Sequence, residues 1–184
     1  MANKEINPEK YIRTRARKLP IYKCFMNPDW AESGMATVMV VRQHNQGNFT
    51  FGLYLADTFC LGIKDVLYGV NVKPEDYEDI LNDYVEGMGI EEVDYNTAHN
   101  MIYGAIAYAE EAGVAPCKDF TSTAQYILEE DTEEIPLIEF EYGHNGGYEL
   151  ACYTQAEANR YIPLLNRTLG EGNYAIVIGD GEEE

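Results

Sequence analysis

Basic side chains are scarce in this sequence. Only 13 Lys and Arg stand against 32 Asp and Glu, for a formal net charge of −19. A body so charged repels nucleic acid and anionic lipid at long range and stays in solution. Histidines number three, and none sits in an H-E-x-x-H pattern, so a helix-borne zinc protease centre is excluded. No G-x-x-x-x-G-K-[ST], strand-borne G-x-G-x-x-G or G-x-S-x-G is present, which argues against nucleotide hydrolysis, dinucleotide redox chemistry and α/β-hydrolase chemistry. Long apolar runs are missing too. None approaches the roughly 20 residues that cross a bilayer, and the start, MANKEINPEKYIRTRARKLP, is polar and basic. The expectation is a cytoplasmic protein with neither a signal peptide nor a membrane anchor. The four cysteines, Cys24, Cys60, Cys117 and Cys152, include no C-x-x-C pair. That spacing suggests reduced thiols rather than a zinc knuckle or a disulfide scaffold.

What is present is enough for a packed core. The 184 residues are 46% hydrophobic and 12% aromatic, with 15 tyrosines, which fits one domain of ordinary size. Charge is unevenly placed: residues 1–23 carry seven basic and two acidic side chains, whereas the rest of the chain carries six and thirty. The expected organisation is a basic arm over residues 1–18, a single domain over 19–179 and an acidic tail over 180–184.

Residues 19–26 (LPIYKCFM) read as a short strand and NPDWAESG as a polar loop. The runs MATVMVVR (35–42) and FTFGLYLA (49–56), joined by a turn containing Asn45 and Gly47, read as a β-hairpin. Pro74 opens a helix with acidic residues in its first turn, and DYNTAHNMIYGAIAYAEEAG (94–113) is the most apolar helix. In the latter, Gly104 beside Ala105 and Ala107 suggests a close contact with the sheet. A short helix is expected over DFTSTAQYILEE, followed by the acidic stretch EEDTEE (129–134) as a solvated linker. PLIEFEY (136–142) and GYELACY (147–153) alternate with period 2 around GHNG and read as a second hairpin. Thr154 and Glu157 form a capping box for a helix that Pro163 should kink or divide, and NYAIVIGD supplies a last strand. The predicted class is α+β: a mostly antiparallel sheet from two hairpins and terminal strands, with about four helices on one face.

Three constellations carry possible chemistry. In LADTFCLGIKD (55–65), Asp57 and Asp65 with Lys64 could form a two-carboxylate metal site of a hydrolase or nuclease-like enzyme. Cys60 could act as a nucleophile with His99 as its base. The plainer reading is that Asp57 caps a turn, Cys60 packs as a small hydrophobe, and Lys64 and Asp65 face solvent. A dispersed metal set from Cys24, Cys60, Cys117, His99 and His144 has no local spacing to support it. In the arm, Arg13, Arg15 and Arg17 alternate, so an extended arm presents all three on one side for phosphate or an acidic groove. The alternative is that the arm lies on the acidic body of its own chain or of a dimer mate. Trp30, in the loop after the first strand, joins these arginines as a candidate binding residue.

LPIYKCFMNPDW, GMATVMVVRQ and FGLYLADTFCLGIKDVLYG, followed by HNMIYGAIAYAEEAG and ILEEDTEEIPLIEFEYG, together resemble a family of bacterial proteins of unknown function. The resemblance covers most of the chain and marks residues 24–30 and 57–65 as the family's most distinctive positions. It implies a single cytoplasmic domain and brings no activity, cofactor or catalytic residue. The functional expectation is a non-enzymatic binding or regulatory protein without cofactor or metal. Its acidic body would hold a basic protein surface, in one form by mimicking nucleic acid with rows of carboxylates, or its basic arm would hold nucleic acid.

Overall fold

A computed structural model of the chain describes residues 6–179. The expected acidic tail, 180–184, and the first five residues of the arm lie outside them. The fold is α+β, built on a five-stranded antiparallel sheet and a separate pair of parallel strands. β1 (Ile21–Met26), β2 (Met35–Gln43), β3 (Phe49–Asp57), β4 (Gly62–Val72) and β5 (Glu91–Val93) form the sheet in the order β4-β3-β2-β1-β5. The expected hairpin is β2 and β3, in register from Met35 opposite Asp57 to Gln43 opposite Phe49.

Strand β4 was not anticipated, although it is the longest strand. Its sequence, GIKDVLYGVNV, carries two glycines, an Asp and an Asn, residue types that strands disfavour. As an edge strand with register shifts against β3, it accommodates them.

Alternation along β1, β2 and β3 sorts the apolar residues onto both faces of the sheet. Cys24, Met26, Val38, Val40 and Tyr54 point one way, into a core completed by Ile102, Ala105 and Ile106 of α4 (Tyr95–Glu111). Ile12 of α1 (Pro8–Arg15) and Phe120 of α5 (Lys118–Ser122) pack there as well. Phe25, Met39, Val41, Phe51 and Leu53 point the other way, onto Tyr77, Ile80, Leu81 and Tyr84 of α3 (Pro74–Met88). The helices are therefore not confined to one face: α3 covers the second. Strands buried on both faces need apolar residues at nearly every position, and MATVMVVR has them.

A smaller core joins the β3–β4 turn to the end of α4 and to a β6-α6-β7 unit: β6 (Glu149–Cys152), α6 (Gln155–Leu169) and β7 (Ala175–Ile178). Cys60, Leu61, Ala109, Leu150 and Leu165 meet in it. β6 pairs with β7 in parallel, and this corrects the expected second hairpin. PLIEFEY is extended but pairs with no strand among the described residues; it runs across α4 instead. Period-2 alternation fixes which side of an extended segment is buried and says nothing about what covers it.

Three further departures are local. The helix expected over DFTSTAQYILEE divides into α5 and a 3₁₀ turn over Ala124–Ile127. Conversely, α6 runs unbroken through Pro163. The polar loop after β1 contains a single helical turn, α2 (Trp30–Ser33). Among the described residues, no helix is long and apolar enough to cross a membrane.

Candidate functional site

The LADTFCLGIKD stretch is the hairpin connecting β3 to β4. Asp57 is 3% exposed, and its Oδ1 accepts from the backbone N–H of Phe59 (3.0 Å) and of Cys60 (2.9 Å). The carboxylate thus closes the turn, as the plainer reading expected. Gly62 holds φ at +66°, and a Cβ there would lie 2.8 Å from that of Ala109, so the turn packs directly on α4.

Cys60 is fully buried, and burial pushes its thiol up to about 12, so almost no thiolate exists near neutral pH. His99 belongs to the main core rather than the turn: Nε2 lies 3.3 Å from the Glu129 carbonyl, and the ring packs between Tyr95 and Tyr103. Burial lowers the His99 pKa. Cys24 sits in the main core and Cys60 in the smaller one.

Asp65 is exposed, and its Oδ1 accepts from the adjacent Val66 N–H. It lines a cleft against Leu67, Tyr84 and Met88, whereas Asp57 lines another with Lys64, Phe59 and Tyr153. Among the described residues, no three His, Cys, Asp or Glu side chains are grouped to hold a metal ion. Lys64 reaches Glu157 instead, Nζ to Oε1 at 3.3 Å. Glu157 went unnoticed as a partner because its capping-box role on α6 already accounted for it; its Oε2 also accepts from the Tyr153 N–H.

The basic segment folds as α1 and packs on the body. Asn7 caps α1, Pro8 occupies its first turn, and Ile12 and Ala16, four residues apart on one face, are buried. Arg17 donates from Nε to the Leu128 carbonyl (2.6 Å), pairs with Glu130 (3.0 Å) and lies over the Tyr126 ring. Arg13 and Arg15 remain exposed on α1. Trp30 is half-buried and meets the Phe140 ring edge-on at 5.5 Å.

The feature that sequence reasoning missed lies beside Trp30. Residues 136–142 form a strap over the outer face of α4. The Asn100 amide clamps it like a neighbouring strand: Nδ2 donates to the Pro136 carbonyl (2.9 Å) and Oδ1 accepts from the Ile138 N–H (3.0 Å). Tyr142 donates its hydroxyl to the Asn100 carbonyl (3.2 Å), in space that exists only because residue 104 is glycine. The close contact at Gly104 is therefore with the strap and not with the sheet.

Between strap and helix runs a groove of about 630 Å³. Tyr103, Tyr108, Phe140 and Tyr142 supply aromatic surface, Glu111, Asp131, Glu139 and Glu141 supply carboxylates, and among the described residues no Lys or Arg lines it. Tyr108 stacks on Tyr148 (4.2 Å between centroids) and faces Tyr142. Burial raises the pKa of both Tyr108 and Tyr142, so these phenols stay neutral. Aromatic faces and carboxylates together suit a cation. The alternation of PLIEFEY was the available signal: Ile138, Phe140 and Tyr142 are half-buried, and Glu139 and Glu141 between them are exposed. The chain matches no family model, no curated protein and no solved structure.

Proposed function

We propose that this is a non-enzymatic binding protein that holds a Lys- or Arg-bearing segment of another protein in the groove between α4 and the 136–142 strap. The observation that carries the reading is the lining of that groove, four aromatic rings and four acidic residues, with no basic side chain among the described residues. An ammonium or guanidinium over a tyrosine face is favoured by about 0.5–2 kcal/mol, more as water is excluded. Glu139 and Glu141, two residues apart on extended chain, stand roughly 7 Å from each other, a spacing that two alternate residues of an extended basic segment can match. Apart from the Pro136 carbonyl and the Ile138 N–H, which Asn100 holds, the strap's backbone pairs with no strand among the described residues and could pair with such a segment. The remaining excess of negative charge would speed the encounter.

A nucleic-acid role for the arm has less support, since Arg17 and Ile12 are spent on internal contacts. So does a metal-dependent hydrolase, since Asp57 and Asp65 line separate clefts. The test is binding of a twelve-residue Arg/Lys peptide and of its Glu counterpart. The basic peptide should bind, weaken at least tenfold between 50 mM and 500 mM salt, and weaken similarly in the Glu139→Gln/Glu141→Gln variant. Equal binding of both peptides, or binding that ignores salt and the double variant, would overturn the reading.

A further inference from the structure

The cleft on which Asp57 opens is separate from the strap groove. It measures about 300 Å³, the lower end of the range for small-molecule sites. Met35, Leu55, Phe59 and Val177 make its apolar walls. Two opposite charges, Asp57 and Lys64, share the same lining. The Phe59 and Cys60 amides donate to Oδ1 of Asp57, and the Leu61 amide also donates to the carboxylate; three amides leave a carboxylate, with about four acceptor sites, one to spare. Lys64 has three donor hydrogens and one carboxylate partner, Glu157, at a long 3.3 Å.

Burial is uneven across the group. Asp57 is almost wholly enclosed, whereas the Lys64 and Glu157 side chains keep 19% and 25% of their exposure. The positions of Asp57 and Lys64 are fixed by the hairpin. Asp57 stands opposite Gly62, and Lys64 is the extra residue in the register shift between the Leu55–Asp65 and Ala56–Ile63 pairs. The shift places Lys64 in the Asp57 cleft, while Asp65 lines the neighbouring one.

We infer that this cleft binds a small zwitterion with an apolar body, an α-amino acid of the leucine type, its ammonium on Asp57 and its carboxylate on Lys64. An anion and a cation lining one cleft with apolar walls match the three parts of such a molecule. A simple amine would leave Lys64 without its new partner, and a simple acid would meet Asp57 and Glu157 as like charges. The site is independent of the strap groove, so either can fail alone.

The experiment is calorimetric titration of the whole protein with L-leucine, 3-methylbutylamine and 4-methylpentanoate in parallel, each followed by thermal unfolding. Leucine should bind and raise the melting temperature, and the amine and acid should each bind at least tenfold more weakly. Lys64→Met and Asp57→Asn should each weaken leucine at least tenfold; the Asn oxygen can still accept from the Phe59 and Cys60 amides, which keeps the turn closed. The inference is overturned if leucine fails to bind, if the amine or the acid binds as well as leucine, or if both folded variants bind leucine like the parent.

Discussion

Arg42 joins several separate chain segments. Its side chain is 1% exposed. Nε donates to the Ile127 carbonyl (2.6 Å), Nη1 to the Leu19 carbonyl (2.6 Å), and Nη2 pairs with Glu129 (2.7 Å). One guanidinium thus ties the end of β2 to the chain leading into β1 and to the 3₁₀ turn after α5. Its fork of donors matches several carbonyls at once, which Lys cannot do. Arg42→Met should cost about 3 kcal/mol, mostly by leaving buried carbonyls unpaired; urea unfolding measures it, and a loss below about 0.5 kcal/mol contradicts the role.

Asp57 makes a different prediction, because two effects oppose each other there. Burial raises its carboxyl pKa, against the pull of the turn amides and Lys64. A folded pKa above the unfolded one means that protonation favours the folded state: this stabilisation is complete below the ordinary carboxylate range and is lost as pH rises through the folded pKa. Asp57→Asn should therefore flatten that part of the stability profile just above the ordinary carboxylate range, while Asp57→Ala loses the turn bonds and about 1–3 kcal/mol at every pH. A parent profile unchanged by Asn would contradict the assignment.

These residues show what a sequence displays and what it hides. Asp57 was legible as a turn cap because its partners are two and three residues away. Arg42 was not, since Ile127 and Glu129 lie more than 80 positions along the chain. Asn27 is similar in kind: Oδ1 accepts from the Thr37 N–H and Nδ2 donates to Asp29 and to the Met35 carbonyl, so the Asn-x-Asp-Trp loop fastens β1 to β2.

At the scale of elements, legibility followed how local the cause was. The β2–β3 hairpin, α3 and α4 announced themselves through turn residues, caps and periodicity, all settled within the element. β4 did not, because pairing with β3 overrode its poor strand composition. PLIEFEY misled for the opposite reason: its strand-like alternation is real, yet the Asn100 clamp and the Tyr142 hydroxyl hold it on α4.

The strap gives the element-scale prediction. Replacing Gly by Ala inside a helix ordinarily stabilises it by about 1 kcal/mol. Gly104→Ala should instead destabilise the protein, because the new methyl would occupy the place of the Tyr142 hydroxyl. It should also weaken the basic peptide, since the groove loses one wall. A gain in thermal stability with peptide affinity unchanged would show that the strap does not depend on this contact.

For the whole molecule, charge is the property that sequence displayed most fully. A balance of −19 over 184 residues works against long-range attraction to nucleic acid and makes the binding of any basic partner depend on ionic strength. What composition could not supply was a location. Folding concentrates Glu111, Asp131, Glu139 and Glu141 around one aromatic groove, from positions up to 30 residues apart, while the basic α1 packs elsewhere against the core. The surface proposed to hold a partner is thus made by the strap crossing α4, a tertiary event.

Trp30 gives direct access to it. It is the only tryptophan, and its ring meets Phe140 of the strap. Titrating the protein with the Arg/Lys peptide at low salt while following Trp30 emission therefore tests the central claim. A saturable emission change is predicted, lost in 500 mM salt and in Glu139→Gln/Glu141→Gln. Peptide binding that leaves Trp30 emission unchanged and survives both treatments would contradict it.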